Sequence, residues 1–184
     1  MSNIHSPAEI ISLLRDIQQR SQQSAIRLAD EDNSLGVWTA IGFRIDDSNY
    51  LMPLSETREV FPVPTQISPV PRSEPWVFGI ANIRGQLLPL FDLKYFLYGQ
   101  KTKLSKQSRI IVNNQSTLYS GLLIDEVFGL KHFQHEPEYG TSSTEQESAI
   151  KPYLHGSITQ ADTYWDVFSF NKLTADQRFL SVAP

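Results

Sequence analysis

Apolar and polar positions alternate along residues 37–45. Val37, Thr39, Ile41, Phe43 and Ile45 fall on one face, and Trp38, Ala40, Gly42 and Arg44 on the other. That period of two is the signature of a strand. Asp46-Asp47-Ser48-Asn49 predicts a turn and residues 50–54 the returning strand. Residues 56–60 are short and fit neither period. Prolines at 62, 64, 69, 71 and 75 exclude helix and central strand, so 61–75 is expected as an extended surface connection. Two apolar runs, 76–83 and 87–93, then flank Arg84-Gly85 and predict a hairpin. Over 92–98 the spacing predicts a short helix opened by Asp92, with Leu93, Phe96 and Leu97 inward and Gly99 ending it.

Further hairpins are predicted for 109–112 with 118–124, around Asn113-Asn114-Gln115-Ser116, and for 154–159 with 164–170, around Gln160-Ala161-Asp162-Thr163. Val127, Gly129 and Leu130 read as a continuation of the 118–124 arm through a bend. Residues 136–150 are polar and predict a mobile excursion. Leu173 and Phe179-Leu180 predict a short terminal element. Upstream of all this, Ser6-Pro7-Ala8-Glu9 is a capping box with proline at the first helical position. Ile10, Leu13, Leu14 and Ile17 follow at helical spacing, so an amphipathic helix is expected. It needs an apolar surface, its own domain by default or else a partner. The chain therefore reads as a helical extension over 1–33 and a β domain over 34–184. The expected fold class is mainly β, a sandwich or barrel with an added helix.

Composition narrows function more than fold. A chain of 184 residues with 40% hydrophobic content suits one domain or two small lobes around a core. Net charge of −4 gives no field for nucleic acid or anionic lipid. The absence of cysteine removes disulfides, thiol nucleophiles and thiolate metal sites. No leader and no membrane-length apolar run is visible, so a soluble, cytoplasmic protein is expected. Phosphate loops, nucleophile elbows and dinucleotide fingerprints are missing, and no catalytic residue and no cofactor is expected. His132-x-x-His135 sits in a polar stretch after a strand, where the two rings diverge, so no metal site is expected. His155 reads as part of a turn. Asp125 and Glu126, being adjacent in a strand, point to opposite faces and cannot flank one substrate. Lys101, Lys103, Lys106 and Arg109 read as a solvated loop. Arg84 is the only formal charge between Pro75 and Asp92. On a rigid apolar hairpin in a catalytically bare chain, it points to an interaction module.

Residues 79–93, Gly-Ile-Ala-Asn-Ile-Arg-Gly-Gln-Leu-Leu-Pro-Leu-Phe-Asp-Leu, closely resemble the hairpin motif of the CheW-like domain family. Residues 121–127, Gly-Leu-Leu-Ile-Asp-Glu-Val, are similar to that family's second-lobe strand, and 36–172 can be laid on the family in order. Within it, Asp125-Glu126-Val127-Phe128-Gly129, Pro152-Tyr153-x-His155-Gly156 and Trp165-x-Val167-Phe168-Ser169 resemble the members belonging to type IV pilus chemosensory systems. The resemblance implies two small five-stranded, SH3-like β-barrels. It implies a non-catalytic scaffold coupling a chemoreceptor to a CheA-type histidine kinase, here for pilus-driven twitching motility. Flagellar chemotaxis is the alternative within the family, and a small β-barrel ligand-binding protein or enzyme the alternative outside it. The implied partners are the cytoplasmic tip of a PilJ-like chemoreceptor and the regulatory domain of a ChpA-like kinase, with recruitment to membrane-associated receptor arrays. Implied receptor-binding residues are Arg84, its counter-ion Glu59, Thr57, and the groove positions Ile110, Val127 and Leu130.

Overall fold

The computed structural model describes residues 37–115, 118–142 and 148–181. The helix expected within 1–33 lies outside the described residues. From Trp38 onward the chain folds as one unit. Its elements run β1 (Trp38–Ile45), β2 (Ser48–Pro53), β3 (Thr57–Pro62), β4 (Val77–Ile83), β5 (Gln86–Asp92) and α1 (Leu93–Tyr98). After these come β6 (Arg109–Asn113), β7 (Gly121–Ile124), β8 (Glu126–Phe133) and β9 (Glu138–Tyr139). The last are β10 (Leu154–Gln160), β11 (Thr163–Phe168), α2 (Phe170–Thr174) and α3 (Gln177–Leu180).

Two sheets result. One has the order β8-β1-β2-β11-β10-β9 and the other β3-β6-β7-β5-β4. The second is thus an insertion between β2 and β8 of the first, so the two lobes interleave along the chain. Most connections are antiparallel hairpins; β5 with β7 and β2 with β11 are the parallel pairs.

Side-chain alternation explains why the strands look apolar on both faces. On β6, Ile110 and Val112 enter a core private to the inserted lobe, while Ile111 joins a core shared by both sheets. On β7, Leu123 goes to the private core, and Leu122 and Ile124 to the shared one. Strand β1 behaves the same way: Ala40 packs with Leu51, Phe133, Ile158 and Val167, while Ile41, Phe43 and Ile45 face the shared core. Successive side chains leave a strand on opposite faces. A strand covered on both sides must therefore be apolar at nearly every position. The helices α2 and α3 close the shared core with Phe170, Leu173 and Phe179.

The structure corrects four local expectations. Residues 126–133 do not prolong the β7 arm; the chain turns at Asp125 and β8 pairs with β1 in the other sheet. The register runs from Gly42↔Gly129 to Phe43↔Val127, so Phe128 is the extra residue of a bulge. Within 136–150, Glu138 and Tyr139 pair with β10, which gives the first sheet six strands where five were expected, and Ile150 is fully buried. His155 lies inside β10, against the Tyr139 ring. The ambiguous 56–60 segment forms most of β3, paired with β6.

The proline-rich connection after β3 is extended, and it also covers an edge. Ser68 donates to Ile80 O at 2.9 Å and accepts from Ile80 N at 2.8 Å. That approach needs Gly79, at φ 143°, because a Cβ there would stand 2.7 Å from Ser68 O.

Candidate functional site

Arg84 and Gly85 form the two-residue loop of the β4–β5 hairpin, between the paired Ile83 and Gln86. Both have positive φ, 52° and 85°, as a type I′ turn requires. Asn82 Oδ1 accepts the Gly85 N–H at 2.9 Å and closes the loop. The sequence therefore fixes the backbone of Arg84 while leaving its side chain outside: 83% of it is exposed.

Strands β3 and β4 are the two edges of their sheet, yet Arg84 Nη1 stands 3.2 Å from Glu59 Oε2 on β3. The sheet must therefore curl until its edges meet, and the ion pair spans the seam. Glu59 is largely covered, at 23% side-chain exposure, and Arg84 is not. The covered acid thus offers a partner to one guanidinium nitrogen, and the rest of the Arg84 head faces solvent. Leu87, opposite Asn82 in the hairpin, is 68% exposed and puts an apolar surface on the hairpin within three residues of the arginine.

The other implied positions separate by depth. Thr57 is buried and its hydroxyl donates to Pro53 O at 3.3 Å. Ile110 is fully enclosed in the private core of the inserted lobe. Neither offers surface to a partner; both shape the barrel from within. Val127 is half-buried and packs at the border of the shared core. Leu130 is exposed at 49%, with Phe128 beside the same bulge at 39%. Both lie on β8, whose outer edge has no strand beyond it among the described residues. The bulge turns an apolar strand outward, and the structure adds Leu87 and Phe128 to the exposed apolar surface. For Leu87 the signal was parity: with Leu88 and Leu90 inward, it must face out. For Phe128 it was Gly129, at φ 99°, which marks a bulge in an otherwise regular strand.

The carboxylates and imidazoles have structural partners. Glu126 receives Arg44 Nε and Nη2 at 3.2 and 3.1 Å, while Asp125 accepts the Asp46 N–H at 2.6 Å. His132 Nδ1 meets Thr39 Oγ1 at 3.1 Å, and His135 Nδ1 meets Glu136 O at the same distance. No group of three or more metal-ligating side chains converges among the described residues. No described helix is long and apolar enough to cross a membrane.

Comparison with known proteins agrees with the fold. The CheW-like domain model matches residues 39–178. The protein PilI of Pseudomonas aeruginosa is 36% identical over 183 residues, covering 100% of this chain and 99% of PilI. The chemotaxis protein CheW of Helicobacter pylori is 29% identical over 114 residues, 62% of this chain and 68% of that one. Among solved structures, the scaffolding protein TtCheW from Thermoanaerobacter tengcongensis superposes with a TM-score of 0.59 at 22% identity, over 71% of this chain and 88% of its own, a likeness of fold. The chain belongs to the CheW-like domain family.

Proposed function

We propose that this protein is a coupling scaffold that joins a chemoreceptor to a CheA-type histidine kinase, in a system controlling type IV pilus twitching motility. It works by binding alone. The observation that carries this reading is the Arg84 turn: an exposed guanidinium on a backbone set by the turn, paired with Glu59 and beside the exposed Leu87. The likeness to PilI along the whole chain supports the pilus assignment over a flagellar one.

In this reading the receptor's cytoplasmic helical tip lies across the apolar surface of Val127 and Leu130, as a helix in a groove. Arg84, oriented by Glu59, makes the polar anchor. Thr57 and Ile110 hold the wall of the inserted lobe in place from beneath. The kinase partner is of the ChpA type and the receptor of the PilJ type. Binding at both recruits the protein to receptor arrays at the membrane.

The test is a paired titration of the full chain against the cytoplasmic hairpin fragment of a pilus-system receptor and that of a flagellar receptor. Preference for the pilus fragment by tenfold or more, about 1.4 kcal/mol, is expected. Equal affinity removes the pilus assignment, and failure to bind either removes the coupling role.

A further inference from the structure

Asp92 and Asp125 enclose a stretch without a single acidic residue. It carries Lys94, Lys101, Lys103, Lys106 and Arg109, five of the chain's 16 cations in a protein of net charge −4. The fold gathers part of it around a cavity of about 670 Å³ at the far end of β5 from Arg84. Arg44, Asp46, Lys94 and Asp125 lie among its lining residues, and Lys101 and Lys103 form part of its wall.

The acidic groups here are already engaged. Lys94 Nζ stands 2.6 Å from Asp46 Oδ1, which holds the ammonium above its ordinary pKa. Asp125 accepts the Asp46 N–H, and Arg44 is held by Glu126. Lys101 and Lys103, by contrast, are exposed and pair with no acid among the described residues. Their loop is nevertheless fixed. Thr102, buried between them, donates its N–H to Asp92 Oδ2 at 2.9 Å and its hydroxyl to Asp92 Oδ1 at 2.8 Å. Ser105 N–H bonds Ser108 Oγ at 2.9 Å and fixes the following turn. Anchoring the middle residue inward sets both flanking lysines on the cavity. Leu104, next in the loop, is 56% exposed.

We infer that this basic cleft is a second docking surface, which takes an acidic peptide segment of a partner protein. Cations with no acid partner among the described residues, spread along a preorganised loop, match carboxylates spread along a peptide, and Leu104, outside the cleft lining, can meet an apolar residue beyond them. A compact phosphate would need converging donors, whereas Arg44 and Lys94 already spend theirs on Glu126 and Asp46. An extended polyanion such as nucleic acid would meet the net negative charge of the rest of the chain. The inference stands apart from the receptor and kinase reading, since it uses neither Arg84 nor the exposed apolar residues of β8.

The experiment uses the full chain and a fluorescein-labelled peptide alternating Glu and Leu, with its Gln/Leu counterpart, followed by fluorescence anisotropy at low salt. The Glu peptide should bind at least about tenfold tighter, and raising the salt should weaken it. A Lys101→Gln/Lys103→Gln double variant should lose about fivefold or more, while Arg72→Gln, an exposed arginine outside the cleft, should change affinity less than about twofold. Amide shifts on binding should centre on residues 101–104. Equal binding of the two peptides, an unchanged double variant, or shifts centred elsewhere would overturn the inference. So would inorganic pyrophosphate binding more tightly than the peptide, which would mark a small-anion site.

Discussion

The two ends of β5 present cations in opposite ways. At the Gln86 end, one arginine sits on a two-residue turn whose backbone angles allow little choice, and an acid from the far edge of the sheet holds its head. At the Asp92 end, two lysines ride on an irregular loop held by the Thr102 N–H and hydroxyl on a helix-capping aspartate and by the Ser105–Ser108 turn. The first arrangement presents one planar donor from one backbone position, which suits specificity. The second places flexible point charges over a wide area, which suits attraction and on-rate. The strand between them is the common support, so each end can be disturbed alone or both together.

The largest effect should come from that support. Leu90→Ala removes a fully buried side chain from the private core of the inserted lobe, and a loss of about 2–5 kcal/mol in denaturant unfolding is expected. Both ends should weaken with it. Asp92→Ala should act on one end only. Asp92 caps α1 through the Tyr95 N–H and holds Thr102 twice, so a loss of about 1–3 kcal/mol is expected. Hydrogen exchange should rise at residues 99–108 and stay unchanged at the Arg84 turn.

Alkaline pH separates the ends by another route. Tyr153 is pushed up to about 12 from 10.0 by burial, aided by its hydrogen bond to Asp176. Tyr50 is likewise raised to about 12, by burial and by Tyr98 of α1. Folded pKa values above the unfolded value mean that the neutral phenols belong to the folded state. Their contribution is intact below about pH 10 and lost as pH rises through about 12. Tyr153 packs on Phe96 of α1, so the Asp92 end should loosen first. Tyr153→Phe should flatten the fall in stability over pH 10–12, measured by thermal melts across that range.

Smaller effects belong to the turn. Gly85→Ala, at φ 85° with open space around its missing Cβ, meets only backbone strain, and about 1 kcal/mol is expected. Arg84→Ala should change stability by less than about 0.5 kcal/mol, because an ion pair with so exposed an arginine contributes little. That near-silence in unfolding is what would distinguish a recognition residue from a structural one.

How much of this was legible depended on range. Local chemistry gave the Arg84 hairpin, the Asp92 cap, the Gly99 stop and the 160–163 turn, since each is decided within a few residues. The path of β8 was not legible. Val127 and Leu130 are apolar whether they prolong β7 or cross to β1, and only the alternative pairing partners differ. The two-residue β9 was hidden because its pairing comes from β10, not from its own composition. Depth was equally hidden. Ile110 and Leu130 look alike in sequence, yet one is enclosed and the other half-exposed, because one strand is covered on both faces and the other is an edge. The Glu59–Arg84 pair joins residues at opposite edges of one sheet. Only the family resemblance suggested it, and barrel closure brings it together.

The central claim is that Arg84 is an anchor for a receptor and not a brace for the fold. Calorimetric titration of a pilus-system receptor's cytoplasmic hairpin into parent and Arg84→Ala protein, each first shown to unfold at the same denaturant concentration, tests it directly. A loss of about 1–3 kcal/mol of binding with unchanged stability is predicted. Undiminished affinity in the folded variant would contradict it.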